Sequence, residues 1–226
     1  MAQADKATHI AATATSDFTS KRRAPILSEA RKGFCAMLRF FFRNKADPAV
    51  RHLYEAAVTQ ARSPVFYTHY GVSDTLDGRF EMIVLHITPF INAIRGDSGI
   101  GVDGQALFDH FLSDMDQNLR TIGVSDIAVP KKMKKMGAAF YGRYEAYLAA
   151  LGDRRALAAA AARNVLDTPD RLDSPEAFAL ADYFTALCAM APDHLTATPH
   201  FPDPAAFAPI GRTGAGADTL QRETVQ

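Results

Sequence analysis

Apolar residues recur at i, i+3, i+4 and i+7 through most of this chain, and nowhere alternate with polar ones between turn signals. That regularity restricts the architecture to helices, because a strand needs a period of two and a helix a period near 3.6. The runs are also punctuated. Asp47-Pro48 sets an N-cap before a proline at the first helical position, and Val50, Leu53, Tyr54, Ala57 and Val58 then share a stripe. Ser63-Pro64 through Tyr70-Gly71 predicts a short second helix. A third starts near Asp74 or Thr75 and stops at Gly96, its face built from Phe80, Ile83, Val84, Ile87, Phe90, Ile91 and Ile94, with a kink expected at Pro89. The fourth carries Phe108, Phe111, Leu112, Met115, Leu119 and Ile122 and ends at Gly123. The fifth opens at Ser125 or Asp126 with Pro130, carries Met133, Met136, Phe140, Tyr144, Tyr147, Leu148 and Leu151, and ends at Gly152. An alanine-rich helix to about Val165 follows, and Ser174-Pro175-Glu176 opens a last one through Phe178, Ala181, Phe184, Leu187 and Cys188. No repeat of solenoid length is present, so the expected fold is all-α, a compact multi-helix bundle with disordered N- and C-terminal tails.

Four regions follow from this pattern. Residues 1–28 lack periodicity and read as a disordered arm; their Ser/Thr content admits a transit peptide, which Asp5, Asp17 and the lack of early arginine weaken. Residues 29–45 read as a basic amphipathic helix, with Phe34, Met37, Leu38, Phe41 and Phe42 on one face and Arg31, Lys32, Arg39 and Arg43 elsewhere. Such a helix either packs on the domain, the commoner use, or lies on anionic lipid. Residues 46–190 form the helical domain, and the prolines and glycines of 191–226 read as a tail.

Composition excludes several function classes. No apolar run reaches the length of a membrane span; Met82–Ile91 is interrupted by His86, Thr88 and Pro89. Lys plus Arg and Asp plus Glu are 25 each, so no net field draws the chain onto nucleic acid. Cys35 and Cys188 stand far apart without a Cys/His cluster, which supports neither a disulfide framework nor zinc and suits a reducing compartment.

The chemical motifs are weak. Gly99-Ile100-Gly101-Val102-Asp103-Gly104 matches a dinucleotide fingerprint only literally, because no strand precedes it, and reads as an interhelical loop. Asp109, Asp114 and Asp116 could offer oxygens to a hard cation, but their spacing does not complete a shell and a solvated helix face is the plainer reading. His86, between Leu85 and Ile87, is either a hydrogen-bonded core residue or, with those aspartates, the centre of a haem- or metal-handling protein or enzyme.

A stronger anomaly lies at Pro130-Lys131-Lys132-Met133-Lys134-Lys135-Met136. Four cations occupy the first turns of a helix, where the macrodipole opposes them and Lys131 repels Lys135. Local propensity did not select that arrangement. Either an acidic or anionic partner faces the cluster, or Asp114, Asp116 and Asp126 neutralise it. Arg79, beside Asp77 and Glu81, and Arg143, after Tyr141-Gly142, could each lock a helix junction or grip a partner acid.

The strings Phe66-Tyr67, Tyr70-Gly71-Val72 and Asp74-Thr75-Leu76-Asp77-Gly78-Arg79-Phe80-Glu81 resemble the ubiquinol-cytochrome c chaperone family. The resemblance continues through Leu107-Phe108, Ser113-Asp114-Met115-Asp116-Gln117-Asn118-Leu119-Arg120, Val129 to Met136, Phe140-Tyr141-Gly142-Arg143 and Ala162-Arg163-Asn164. It covers about residues 47–165, with departures at Thr121 and at Pro89 with Asn92. It implies a non-catalytic, all-α assembly factor of the respiratory cytochrome bc complex that engages newly made cytochrome b, without a cofactor or a metal. It also implies a compact bacterial member working in the cytoplasm at the inner face of the cytoplasmic membrane, or in mitochondria if eukaryotic. Mitochondrial relatives work with a small partner protein. The residues expected to meet the partner are Arg79, Lys131, Lys132, Met133, Lys134, Lys135, Met136 and Arg143, with anionic membrane as a further surface.

Overall fold

The computed structural model describes residues 47–96, 104–194 and 200–209. The arm of 1–28, the basic helix of 29–45 and most of the Gly99–Gly104 motif lie outside the described residues. Described residues form α1 (Pro48–Ala61), α2 (Pro64–Thr68), α3 (Leu76–Gly96), α4 (Gly104–Thr121), α5 (Val129–Ala150), α6 (Arg154–Asn164), α7 (Pro175–His194) and a 3-10 turn (Pro204–Phe207), with no strand among them. The fold is therefore all-α.

Local chemistry sets most of the boundaries. Asp47 accepts a hydrogen bond from the Ala49 amide at 2.9 Å and Pro48 follows at the first helical position. The Asp153 carboxylate caps α6 through the amides of Arg155 and Ala156, and Ser174 Oγ caps α7 through Ala177. At the other ends, Gly123 and Gly152 adopt φ of 86° and 97°, a left-handed conformation that reverses the chain after α4 and α5.

α3 is the axis of the domain and packs against α1, α4, α5 and α7. Every residue from Phe80 to Ile91 is buried. The periodic stripe expected from sequence was too narrow, because a helix surrounded on all sides has no solvent face. Its polar side chains are consequently enclosed and must find partners inside. Thr88 Oγ1 donates to the Val84 carbonyl at 2.7 Å, and α3 runs continuously through Pro89. Around this axis lie two aromatic groups. Phe80, Phe108, Phe111 and Phe140 join α3, α4 and α5, with Phe108 and Phe140 ring centroids 4.7 Å apart. Phe66 of α2 plugs a second group, 5.0 Å from Tyr183 and 5.3 Å from Tyr70.

Two stretches of the presumed tail are regular. α7 continues to His194, and Asp203-Pro204 repeats the start signal of Asp47-Pro48, with the Asp203 carboxylate accepting from the Ala205 amide at 2.9 Å. The proline content of 191–226 suggested no regular structure, but an Asp-Pro pair begins a helical turn as readily here as at α1. Residues 200–209 fold back on the domain: Tyr70 Oη donates to the Pro204 carbonyl at 2.6 Å, Gln60 Nε2 to the Pro202 carbonyl at 3.0 Å, and Phe207 lies against Tyr183.

Candidate functional site

Val129, the first residue of α5, is buried, and the next buried positions along the helix are Gly137 and Phe140. Lys131, Lys132, Lys134 and Lys135 are exposed, while Met133 and Met136 are half-buried. The helix begins without a side-chain cap, its N-cap position being Ala128, and no acidic residue in its first turn offsets the positive end of its dipole.

Asp114, Asp116 and Asp126, the acids considered for neutralising these lysines, are engaged elsewhere. Arg120 binds both Asp116 and Asp126, and Asp114 accepts from Tyr54 Oη at 2.7 Å and Asn118 Nδ2 at 3.1 Å. None of the four lysines enters an ion pair among the described residues. Local neutralisation, one of the two readings open from sequence, is not how this cluster is arranged.

A groove takes in only part of the cluster. Lys132, Lys135, Met136 and Arg143 line an open groove of about 690 Å³, completed by Leu76 and Asp77 at the start of α3 and by Arg163 near the end of α6. Lys131 and Lys134 are not part of its lining. Gly78 forms part of the wall, and a Cβ there would collide with the Ser73 carbonyl oxygen, which explains glycine at the first turn of α3.

The groove rests on an ion pair. Arg143 Nε lies 3.0 Å from both carboxylate oxygens of Glu81, and Nη2 lies 2.7 Å from Oε1. This fork ties α5 to the central helix across 62 residues of sequence. Burial pushes the Glu81 carboxyl above its ordinary range, against the opposing pull of the guanidinium. Arg79 is instead held at the surface by Asp74, at 2.7 Å, and stays outside the groove lining.

A model of the ubiquinol-cytochrome c chaperone family matches residues 68–198, which include α3 to α7 and every residue named in this groove. The chain belongs to that family. A crystal structure of the Cbp3 homolog from Brucella abortus is similar to this chaperone with a TM-score of 0.60 and 34% identity, covering 80% of this chain and 98% of that one. No curated protein matches the chain. The family assignment makes the chain a member of a group of assembly factors for ubiquinol-cytochrome c reductase.

The other candidates of the chaperone resolve into packing. His86 is fully buried; its Nδ1 lies 2.7 Å from the Met82 carbonyl and its Nε2 2.9 Å from Tyr183 Oη. The geometry fits a neutral ring that donates from Nδ1 and accepts at Nε2, and burial depresses its pKa to about 4. Both nitrogens are occupied, which leaves no lone pair for haem iron. Asp109 accepts from Gln105 Nε2 at 2.8 Å, and no group of three or more His, Cys, Asp or Glu side chains is placed to hold a metal among the described residues. Sequence reasoning did not identify Tyr183 as the partner of His86 or Glu81 as the partner of Arg143. Those pairs are 97 and 62 residues apart, and no local signal joins them.

Proposed function

We propose that this chain is a non-catalytic assembly factor that engages newly made cytochrome b through the groove beside α5, working at the inner face of the cytoplasmic membrane. The observation that carries the reading is the pair Lys132 and Lys135, exposed beside the half-buried Met136 over a groove, without an ion pair among the described residues. Lysine and methionine together suit an irregular client: long flexible stems adapt to varied shapes, the ammonium groups meet acidic or carbonyl-rich turns, and the thioether meets apolar side chains. The Glu81–Arg143 fork keeps the wall in place beneath them. Among the described residues no helix is long and apolar enough to cross a membrane.

The test is a pull-down from detergent-solubilised membranes of the native host, probed for cytochrome b. Full chain should retain cytochrome b, and Lys132→Ala with Lys135→Ala should lower the yield severalfold without altering the melting temperature. Equal recovery by both proteins, or an unchanged level of bc complex in cells carrying the variant, would defeat the groove assignment.

A further inference from the structure

The outer face of the same helix is unexplained by the groove. Ile127 is 93% exposed and Ile122 is 57% exposed, two of three large apolar residues so displayed among the described residues. They flank the turn between α4 and α5. The Ala128 and Val129 amides donate to the Ser125 carbonyl at 2.8 and 3.1 Å, so the turn leads helically into α5. At that pitch, positions 127, 131 and 134 fall on one stripe, spaced i, i+4 and i+7. Ile127 is thus aligned with Lys131 and Lys134, on a different side from the groove-lining Lys132 and Met136.

Three costs coincide at this corner. An aliphatic side chain stands almost wholly in water, four ammonium groups crowd the wrong end of a helix dipole, and the nearest acids are shared by one arginine. A partner that removes all three must be apolar beneath and anionic on top. We infer that the α4–α5 corner docks on an anionic phospholipid bilayer, with Ile127 and Ile122 entering the acyl boundary and Lys131 and Lys134 meeting the phosphate layer. A bilayer suits this shape better than a protein does. A protruding isoleucine needs a deformable apolar medium, whereas a folded partner would have to supply a fitted pocket for it. The inference deepens the membrane-side part of the proposed function and is independent of what occupies the groove.

Co-sedimentation of the full chain with vesicles tests it, comparing phosphatidylcholine alone with phosphatidylcholine containing phosphatidylglycerol. The full chain should pellet with the anionic vesicles at low salt and be released at high salt. Lys131→Gln with Lys134→Gln should weaken that partition on the order of tenfold, and Ile127→Ser by a similar factor, with unchanged circular dichroism melting because all three side chains are solvent-exposed. Binding equal to that of the parent chain would overturn the inference and assign any lipid contact to another segment, such as residues 29–45. Failure of the parent to pellet with either vesicle would overturn it as well. If the corner variants instead lost cytochrome b in detergent while keeping vesicle binding, the corner would belong to the client and the lipid assignment would fail. The detergent pull-down of the groove variants reads the proposed function separately, since no bilayer is present in it.

Discussion

The two ends of this domain treat polarity in opposite ways. Around Phe66, buried polar groups are matched inside the chain: His86 meets Tyr183 and the Met82 carbonyl, Tyr70 meets Pro204, and Gln60 meets both Tyr183 and Pro202. At the start of α5, four lysines stand beside acids that have been taken by Arg120, Tyr54 and Asn118. The first end satisfies its own polar groups, so its substitutions should register as lost stability. The second carries charge that no ion pair among the described residues takes up, so its substitutions should register as lost binding.

The most forceful way to break this contrast is Phe66→Ala, which empties a fully buried site between Tyr70, His86 and Tyr183. It should cost about 3–5 kcal/mol in a denaturant titration. A loss below about 1 kcal/mol would mean that α2 is not a plug. Next comes pH. The folded His86 has a pKa near 4, against an ordinary imidazole value of 6.5, so the unfolded chain takes up its proton first. Stability from this group is complete above about pH 6.5 and declines as pH falls towards 4, by on the order of 3 kcal/mol. Its imidazole resonances should remain those of a neutral ring as pH passes through 6.5 and change only on approach to about 4; titration near 6.5 would show the site to be open to water.

Tyr183→Phe is smaller and sharper. It removes one oxygen and leaves His86 Nε2 and Gln60 Nε2 without that partner, for an expected loss of about 1–3 kcal/mol. The smallest effect is expected from replacing Lys131, Lys132, Lys134 and Lys135 by Ala together. Stability should change by less than about 0.5 kcal/mol, and in the upward direction, since repulsion and an unfavourable dipole contact are both relieved. Recovery of cytochrome b should nevertheless fall. Clear destabilisation by this variant would erase the distinction between the two ends.

Much of the fold could be read from the chain because the signals are local. Asp47-Pro48, Ser174-Pro175, Gly123 and Gly152 act within one turn of themselves, and they mark ends that the structure also shows. The lysine cluster was legible for the same reason. Which of its members line a groove was not, because that depends on the α3 and α6 segments that wall it. The encirclement of α3 was also hidden. Glu81, His86 and Thr88 look like interruptions of an apolar stripe until their partners arrive from other turns or other helices.

The return of residues 200–209 to the side of α1, α2 and α7 bears on the timing of biogenesis. Gln60 and Tyr70 wait for carbonyls that lie 142 and 134 residues downstream. As the chain leaves the ribosome, its central helix can gather neighbours one after another, yet this face stays unsealed until synthesis has passed Phe207. An interruption before Phe201 would release a polypeptide with Phe90 and His86 lacking the cover of that ring, the sort of surface that quality-control proteases recognise.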